Sequence, residues 1–331
     1  MERDAERARA ESDAQDGSSA TGATELVRDE EFWYDDGSVV LQTGDHGFRV
    51  HKAVLSKAAP FFEGLFSVPQ PSGQDKVDGC DVVQMQDSCY DIRQLLRLIY
   101  QGRSYYEADG RVNFTTVATT IRIAHKFDMQ DLLSDALKRL KSWYTDDFDA
   151  WDKICEADGS SLMTRPRDED AIEAVALAHL MNTPSVLPLA LYFCAQLYTD
   201  VIISGTRRND GAISRLSPED AACCIDGRAH LLYYFFVAVP DTRRGYGVSC
   251  CIRSCNVKFE PKPIAETWSE KLKTLSTKVS ITPTDGRAAA CNDCIKWWSD
   301  KEKGMRRWYW KFLPQMFGLP TAGWGASGAT W

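Results

Sequence analysis

Histidine is scarce in this sequence, at five of 331 residues. No His-Glu-x-x-His pair occurs, which removes the usual helical zinc-hydrolase arrangement. There is no Gly-x-Ser-x-Gly elbow and no Gly-x-x-x-x-Gly-Lys-Ser/Thr loop, so neither a nucleophile turn nor a phosphate cradle is signalled. Carboxylates abound in loops, but no pair stands in a context that assigns acid and base roles. Long hydrophobic runs are also missing. The longest, Leu231 to Pro240, falls short of the roughly 20 residues that a bilayer span requires. The opening Met1-Glu2-Arg3-Asp4-Ala5-Glu6-Arg7 has no apolar core of a secretory signal. An intracellular protein, cytoplasmic or nuclear, is expected. Positive charge is in deficit: 39 Lys and Arg against 47 Asp and Glu leave a net charge of −8. That balance repels nucleic acid and anionic lipid and argues against both as partners of the whole chain.

What is present suffices for a core, since 44% of residues are hydrophobic. Residues 1–30 lack periodicity and read as a disordered charged tail. Order is expected from Phe32-Trp33-Tyr34 onward. Ser38 to Gln42 and Phe48 to Val50 read as a strand pair around the turn Gly44-Asp45-His46-Gly47, and Asp81 to Met85 as a third strand. His51 to Ala58 and Pro60 to Phe66 are short helices, the first with Val54 and Leu55 expected inward, the second with Pro at its favoured first position. Residues 67–79 read as a loop. Ile92, Leu95, Leu96 and Ile99 share a helix face, as do Val117, Ile121 and Ala124. The most regular helix carries Met129, Leu132, Leu133, Ala136, Leu137 and Leu140, with Asp128 as its expected N-cap. Residues 146–168 are acidic and turn-rich and read as a linker. Beyond them, residues 169–320 read as mainly helical. Ile172, Val175, Ala176 and His179 lie on one face, Leu187, Leu191, Cys194 and Leu197 on the next, and Ser217-Pro218-Glu219-Asp220 opens another helix. The Gly-rich residues 321–331 read as a flexible tail. The fold class is therefore α+β: a small sheet flanked by helices over residues 31–145, then a mainly α-helical C-terminal domain.

Eleven cysteines and no secretory signal imply mostly reduced thiols, metal ligands or core residues. Cys291-Asn292-Asp293-Cys294 is a C-x-x-C pair, and Cys251 with Cys255 forms a C-x-x-x-C pair. Together Cys251, Cys255, Cys291 and Cys294 offer the four thiolates of a tetrahedral structural zinc, with Cys250 as substitute for Cys251. The gap of about 35 residues between the pairs is longer than in small fingers and favours the alternative of buried, reduced cysteines. Apart from this zinc, no cofactor is expected. Cys291 to Phe317 interleaves Trp297, Trp298, Trp308, Tyr309 and Trp310 with Lys296, Lys301, Lys303, Arg306, Arg307 and Lys311. Such a mixture can bind nucleic acid or a membrane surface. However, Ile295, Trp298, Met305, Tyr309, Phe312 and Met316 fall near helical spacing, which favours packing. His51 reads as a residue that packs and hydrogen-bonds at its helix start, and His125 and His179 as core or interface histidines.

The string Phe48-Arg49-Val50-His51-Lys52-Ala53-Val54-Leu55-Ser56, followed by Pro60-Phe61-Phe62, resembles the BTB/POZ domain. Phe48, His51, Leu55, Ala59 and Phe62 hold that family's Phe-x-x-His-x-x-x-Leu places and those that follow. The run Asp91 to Gly102 is similar to the family's helix ending in Leu-x-x-x-Tyr-x-Gly. The lead-in Phe32 to Gly37 and the loop Ser67 to Pro71 resemble fungal, basidiomycete-like members. The resemblance covers residues 32 to about 143. It implies a dimerising adaptor module, a homodimer, and no enzymatic role. Members that recruit cullin-3 carry a hydrophobic-x-Glu motif after the second short helix. Here that place reads Gln70-Pro71-Ser72, which argues against that partner.

The favoured function is a non-enzymatic protein-interaction adaptor. The alternatives are a nucleic-acid-associated regulator with a basic-aromatic, zinc-stabilised C-terminal domain, and a hydrolase or redox enzyme hidden in the C-terminal half.

Overall fold

Val39–Thr43 (β2) and His46–Val50 (β3) pair antiparallel through the two-residue turn Gly44-Asp45. Gly44 takes φ +58, which its missing Cβ permits. The structure, a computed structural model, describes residues 26–68, 76–102, 110–157, 159–160, 162–244 and 292–325. Cys80–Gln84 (β5) lies parallel to β2. Lys76–Val77 (β4) turns onto β5 through Asp78 and Gly79, both at positive φ, as a tight hairpin demands. Val27–Trp33 (β1) runs parallel to β3 and completes the order β1-β3-β2-β5-β4. Order thus begins before Phe32. Period-2 alternation sends Val39 and Leu41 into the main core and Val40 into a smaller cluster with Cys80 and Val82, so both sheet faces are covered.

Lys52–Ala58 (α1) and Pro60–Ser67 (α2) follow β3. Cys89–Gln101 (α3) is capped by Ser88, whose hydroxyl accepts from the Asp91 N–H at 3.0 Å and donates to the Asp91 carboxylate. Phe114–Lys126 (α4), capped by Asn113, and Gln130–Trp143 (α5) form the expected tight helical hairpin. Asp128 is not the cap of α5. It takes φ +56 inside the turn, while Met129 stands at the N-cap with no side-chain cap bond. The near-zero linker needs a left-handed residue, and Asp tolerates that conformation.

Residues 146–168, expected as a linker, contain the helix Phe148–Ala157 (α6). Phe148, Trp151 and Ile154 are buried. The acids that suggested a solvated loop have other partners. Asp147 accepts from the N–H groups of Asp149 and Ala150, while Asp149 and Asp152 pair with cations of the last helix. Asp170–Leu180 (α7), a 3-10 turn at Pro184–Val186, Leu187–Cys194 (α8) and Thr199–Ser204 (α9) follow. Thr206–Arg207 (β6) and Ile213–Ser214 (β7) make a small hairpin. Pro218–Arg244 (α10) starts at Ser217, which accepts from the Asp220 N–H at 3.0 Å as expected, and Asn292–Met316 (α11) is the last helix. Among the described residues, no helix is long and apolar enough to cross a membrane.

One cluster of buried side chains runs from Phe32 to Phe317. An aromatic ladder crosses it. Trp310 of α11 stacks on Trp151 of α6 at 6.0 Å, Trp151 meets Phe193 of α8 at 5.8 Å, and Phe193 meets Trp143 of α5 at 6.2 Å. Residues 321–325, expected as part of a loose tail, dock onto this ladder. Trp324 stacks on Trp310 at 5.1 Å, and its indole N–H donates to the Trp310 carbonyl at 2.8 Å.

Gly227 of α10 faces Phe317 so closely that an added Cβ would meet the ring at 2.3 Å. In a free helix, alanine gains about 1 kcal/mol over glycine, whereas overpacking a core costs about 1–3 kcal/mol. Gly227→Ala is therefore expected to lower the melting temperature. A raised one would show that α10 and Phe317 do not meet in this way.

Candidate interaction surface

The α1–α2 pair is held rigidly from behind. His51, just before α1, is fixed on both ring nitrogens: Nδ1 lies 2.9 Å from the Tyr100 hydroxyl and Nε2 lies 3.1 Å from Asp36. The His51 N–H also donates to the Tyr100 hydroxyl. Burial pushes the Tyr100 phenol above its ordinary value, and the bond from His51 holds the Asp36 carboxyl below its own. These contacts fit the reading of His51 as a residue that packs and hydrogen-bonds at its helix start. Leu55, Ala59 and Phe62 are fully buried, and Phe62 lies parallel to Phe127 at 5.4 Å. Val54, expected inward beside Leu55, is instead 37% exposed, because one turn of a short helix can seat only one of two adjacent residues; with Phe61, 40% exposed, and Val68, 60% exposed, it is presented outward. Phe61 is steadied edge-on by Phe127 at 5.1 Å. The result is an apolar surface on a fixed backbone, which suits protein contact.

Asp29 anchors the neighbouring strand. One carboxylate oxygen accepts the N–H groups of Glu31 and Phe32, and the other meets His46 Nε2 at 3.0 Å and the Arg93 guanidinium at 2.6 Å. Asp29, His46 and Cys89 lie close enough together to suggest three metal ligands. Arg93 also reaches Cys89 Sγ at 3.4 Å, so a guanidinium already supplies the positive charge between them, and the trio reads as an ion-pair hub. This hub escaped sequence reasoning because a buried Asp in an edge strand breaks the apolar alternation.

The metal assignment falls elsewhere. Cys250, Cys251, Cys255 and Cys291 lie outside the described residues, and Cys294 is described only through its backbone in α11. The described cysteines Cys80, Cys89, Cys155, Cys194, Cys223 and Cys224 are free thiols, and burial raises the Cys194 thiol well above its ordinary value.

The basic-aromatic helix is largely engaged in packing. Tyr309, Trp310 and Met316 are buried, and Trp308 lies 5.0 Å from Phe312. Arg306 is 1% exposed and bonds Asp152 and Glu302, while Arg307 and Lys303 reach Asp149. Ile295 and Trp298, also placed on that stripe, have no described side chains. His125 and His179 are exposed, not buried. His179 sits at the end of α7, 3.1 Å from Asp220, because the helix face turns outward there.

A small sheet, a rigid helical pair with an apolar outer face and a following helical hairpin define a protein-interaction module. Residues 27–142 match the family model of the BTB/POZ domain, and this part of the chain is such a domain. No curated protein matches the chain.

Proposed function

We propose that the chain is a non-enzymatic adaptor that dimerises through the outer face of α1–α2. The carrying observation is the exposure of Val54, Phe61 and Val68 on a helical pair whose inner side is locked. The C-terminal half supports this reading by packing elsewhere. Arg122 of α4 pairs with Glu173 of α7, and Phe193 covers Trp143 of α5. Two copies meeting at this face would bury apolar side chains that otherwise stand in water. Light scattering on the full chain at micromolar concentration is expected to give a dimer mass. Phe61→Ser combined with Val54→Ser is expected to give a folded monomer, with the same far-UV circular dichroism as the parent protein and a melting temperature lowered by the lost partner. A strictly monomeric parent protein would sink the proposal.

Recruitment of cullin-3 is not part of this function. The position Gln70-Pro71-Ser72 lies outside the described residues, and the argument is the missing acid. Mixing the purified proteins should give no co-eluting complex on gel filtration, and a stable one would overturn this.

A further inference from the structure

The helix α10 buries one side and leaves an apolar stripe on the other. Cys224, Gly227 and Leu231, three and four residues apart, face the core, where Gly227 meets Phe317. Ala222, Ile225, Ala229 and Tyr233 follow at steps of three, four and four, which places them on the opposite side. All four are exposed, Ile225 by 44% and Tyr233 by 63%. A surface helix needs only one apolar face to hold it to its core, so a second one at helical spacing is the pattern of a helix that receives another helix. The small residues Ala222 and Ala229 alternate with the large Ile225 and Tyr233, giving the hollows and ridges on which a helix can seat.

The edges of the stripe specify the partner. Glu219 and Asp226, seven residues apart, run along one edge; both are exposed and neither has an ion-pair partner among the described residues. Among the described residues the other edge offers no free cation, because Arg228 turns inward. Its guanidinium donates to the carbonyls of Ala195 and Leu197 and to the Thr199 hydroxyl. An apolar stripe with an acidic border repels an anionic membrane surface and complements a helix with Lys or Arg beside its own apolar stripe. The geometry points to α10 as a second docking surface, separate from α1–α2, that receives a basic amphipathic helix of a partner protein.

The test is to pan a displayed library of helical peptides, varied at apolar and flanking positions, on the full-length protein. The best peptide is then titrated by fluorescence anisotropy. Enriched sequences are expected to carry apolar residues at helical spacing with Lys or Arg alongside. Ile225→Gln with Tyr233→Gln should weaken the best peptide by about ten-fold or more, since two large apolar contacts are lost. Glu219→Lys with Asp226→Lys should weaken it by about two- to five-fold, as exposed charge pairs do, and the loss should shrink at high salt. Melting should be unchanged in both variants. Phe61→Ser, which addresses the other face, should leave the affinity intact and so separates this inference from the dimer proposal. Failure to enrich any peptide, enrichment of acidic flanks, or equal binding to the Gln variant would overturn the inference. So would a drop in solution mass caused by Ile225→Gln with Tyr233→Gln, because a second copy would then be the occupant.

Discussion

Trp310→Ala is expected to lower the stability of the whole chain by about 3–5 kcal/mol, the range for truncating a buried tryptophan. The ring is fully buried and touches Trp151, Phe148 and Trp324, and its N–H donates to the Asp146 carbonyl at 3.2 Å. These contacts draw on α6 and on the segment after α11. The ladder then passes through Phe193 and Trp143 into the BTB/POZ domain. The loss should therefore register everywhere at once. Urea unfolding followed by near-UV and far-UV circular dichroism is expected to give one coincident transition, shifted to lower urea. Two transitions, with the one belonging to residues 27–142 unmoved, would show that the two halves do not share a core.

Asp29→Ala is expected to cost a similar amount, about 3–5 kcal/mol, because it leaves the part-buried Arg93 cation and two backbone N–H groups without their acceptor. This loss should depend on pH. Burial alone would push the Asp29 carboxyl up, but the bonds from Arg93, the Phe32 N–H, His46 and the Glu31 N–H outweigh it and hold the group below its ordinary value of 3.8. A carboxyl lowered on folding stabilises the native state fully above the unfolded value and loses that contribution as pH falls through the folded one. The stability gap between the parent protein and Asp29→Ala should be constant near neutral pH and shrink below about pH 4. A gap that stays constant down to about pH 2 would show that the carboxylate does not carry the interaction.

Periodicity made the regular elements legible. Strands β2, β3 and β5 and helices α1 to α5 lie where alternation and the three-four spacing put them, because each has one face against the core. Several departures come from charge, which in sequence looks like solvent exposure. Asp29 lies inside strand β1, and Asp147, Asp149 and Asp152 cap or pair at a packed helix, yet in sequence they look like any loop acids. Asp78-Gly79 is a hairpin turn whose strand β4 is only two residues long, too short for any alternation to show. Of the interaction surface, the buried side was legible through Leu55 and Phe62. That Val54 and Phe61 remain exposed depends on where the C-terminal half packs, and local sequence does not record that. The stripe on α10 was hidden for the same reason, since a helix apolar on two sides shows no single face.

The aromatic ladder has a consequence for how the chain is made. Arg306 stands 154 residues after its partner Asp152. At about 5–20 residues per second, a ribosome needs roughly 8–30 s to cover that separation. Throughout this interval Trp151 has emerged and Trp310 has not, so a nascent chain with its BTB/POZ domain complete still presents an uncovered aromatic face to solvent. Contacts of such long sequence separation also slow folding, because loop closure must precede them. A chain halted before α11 keeps that face open for its whole lifetime, as a surface for chaperones and proteases.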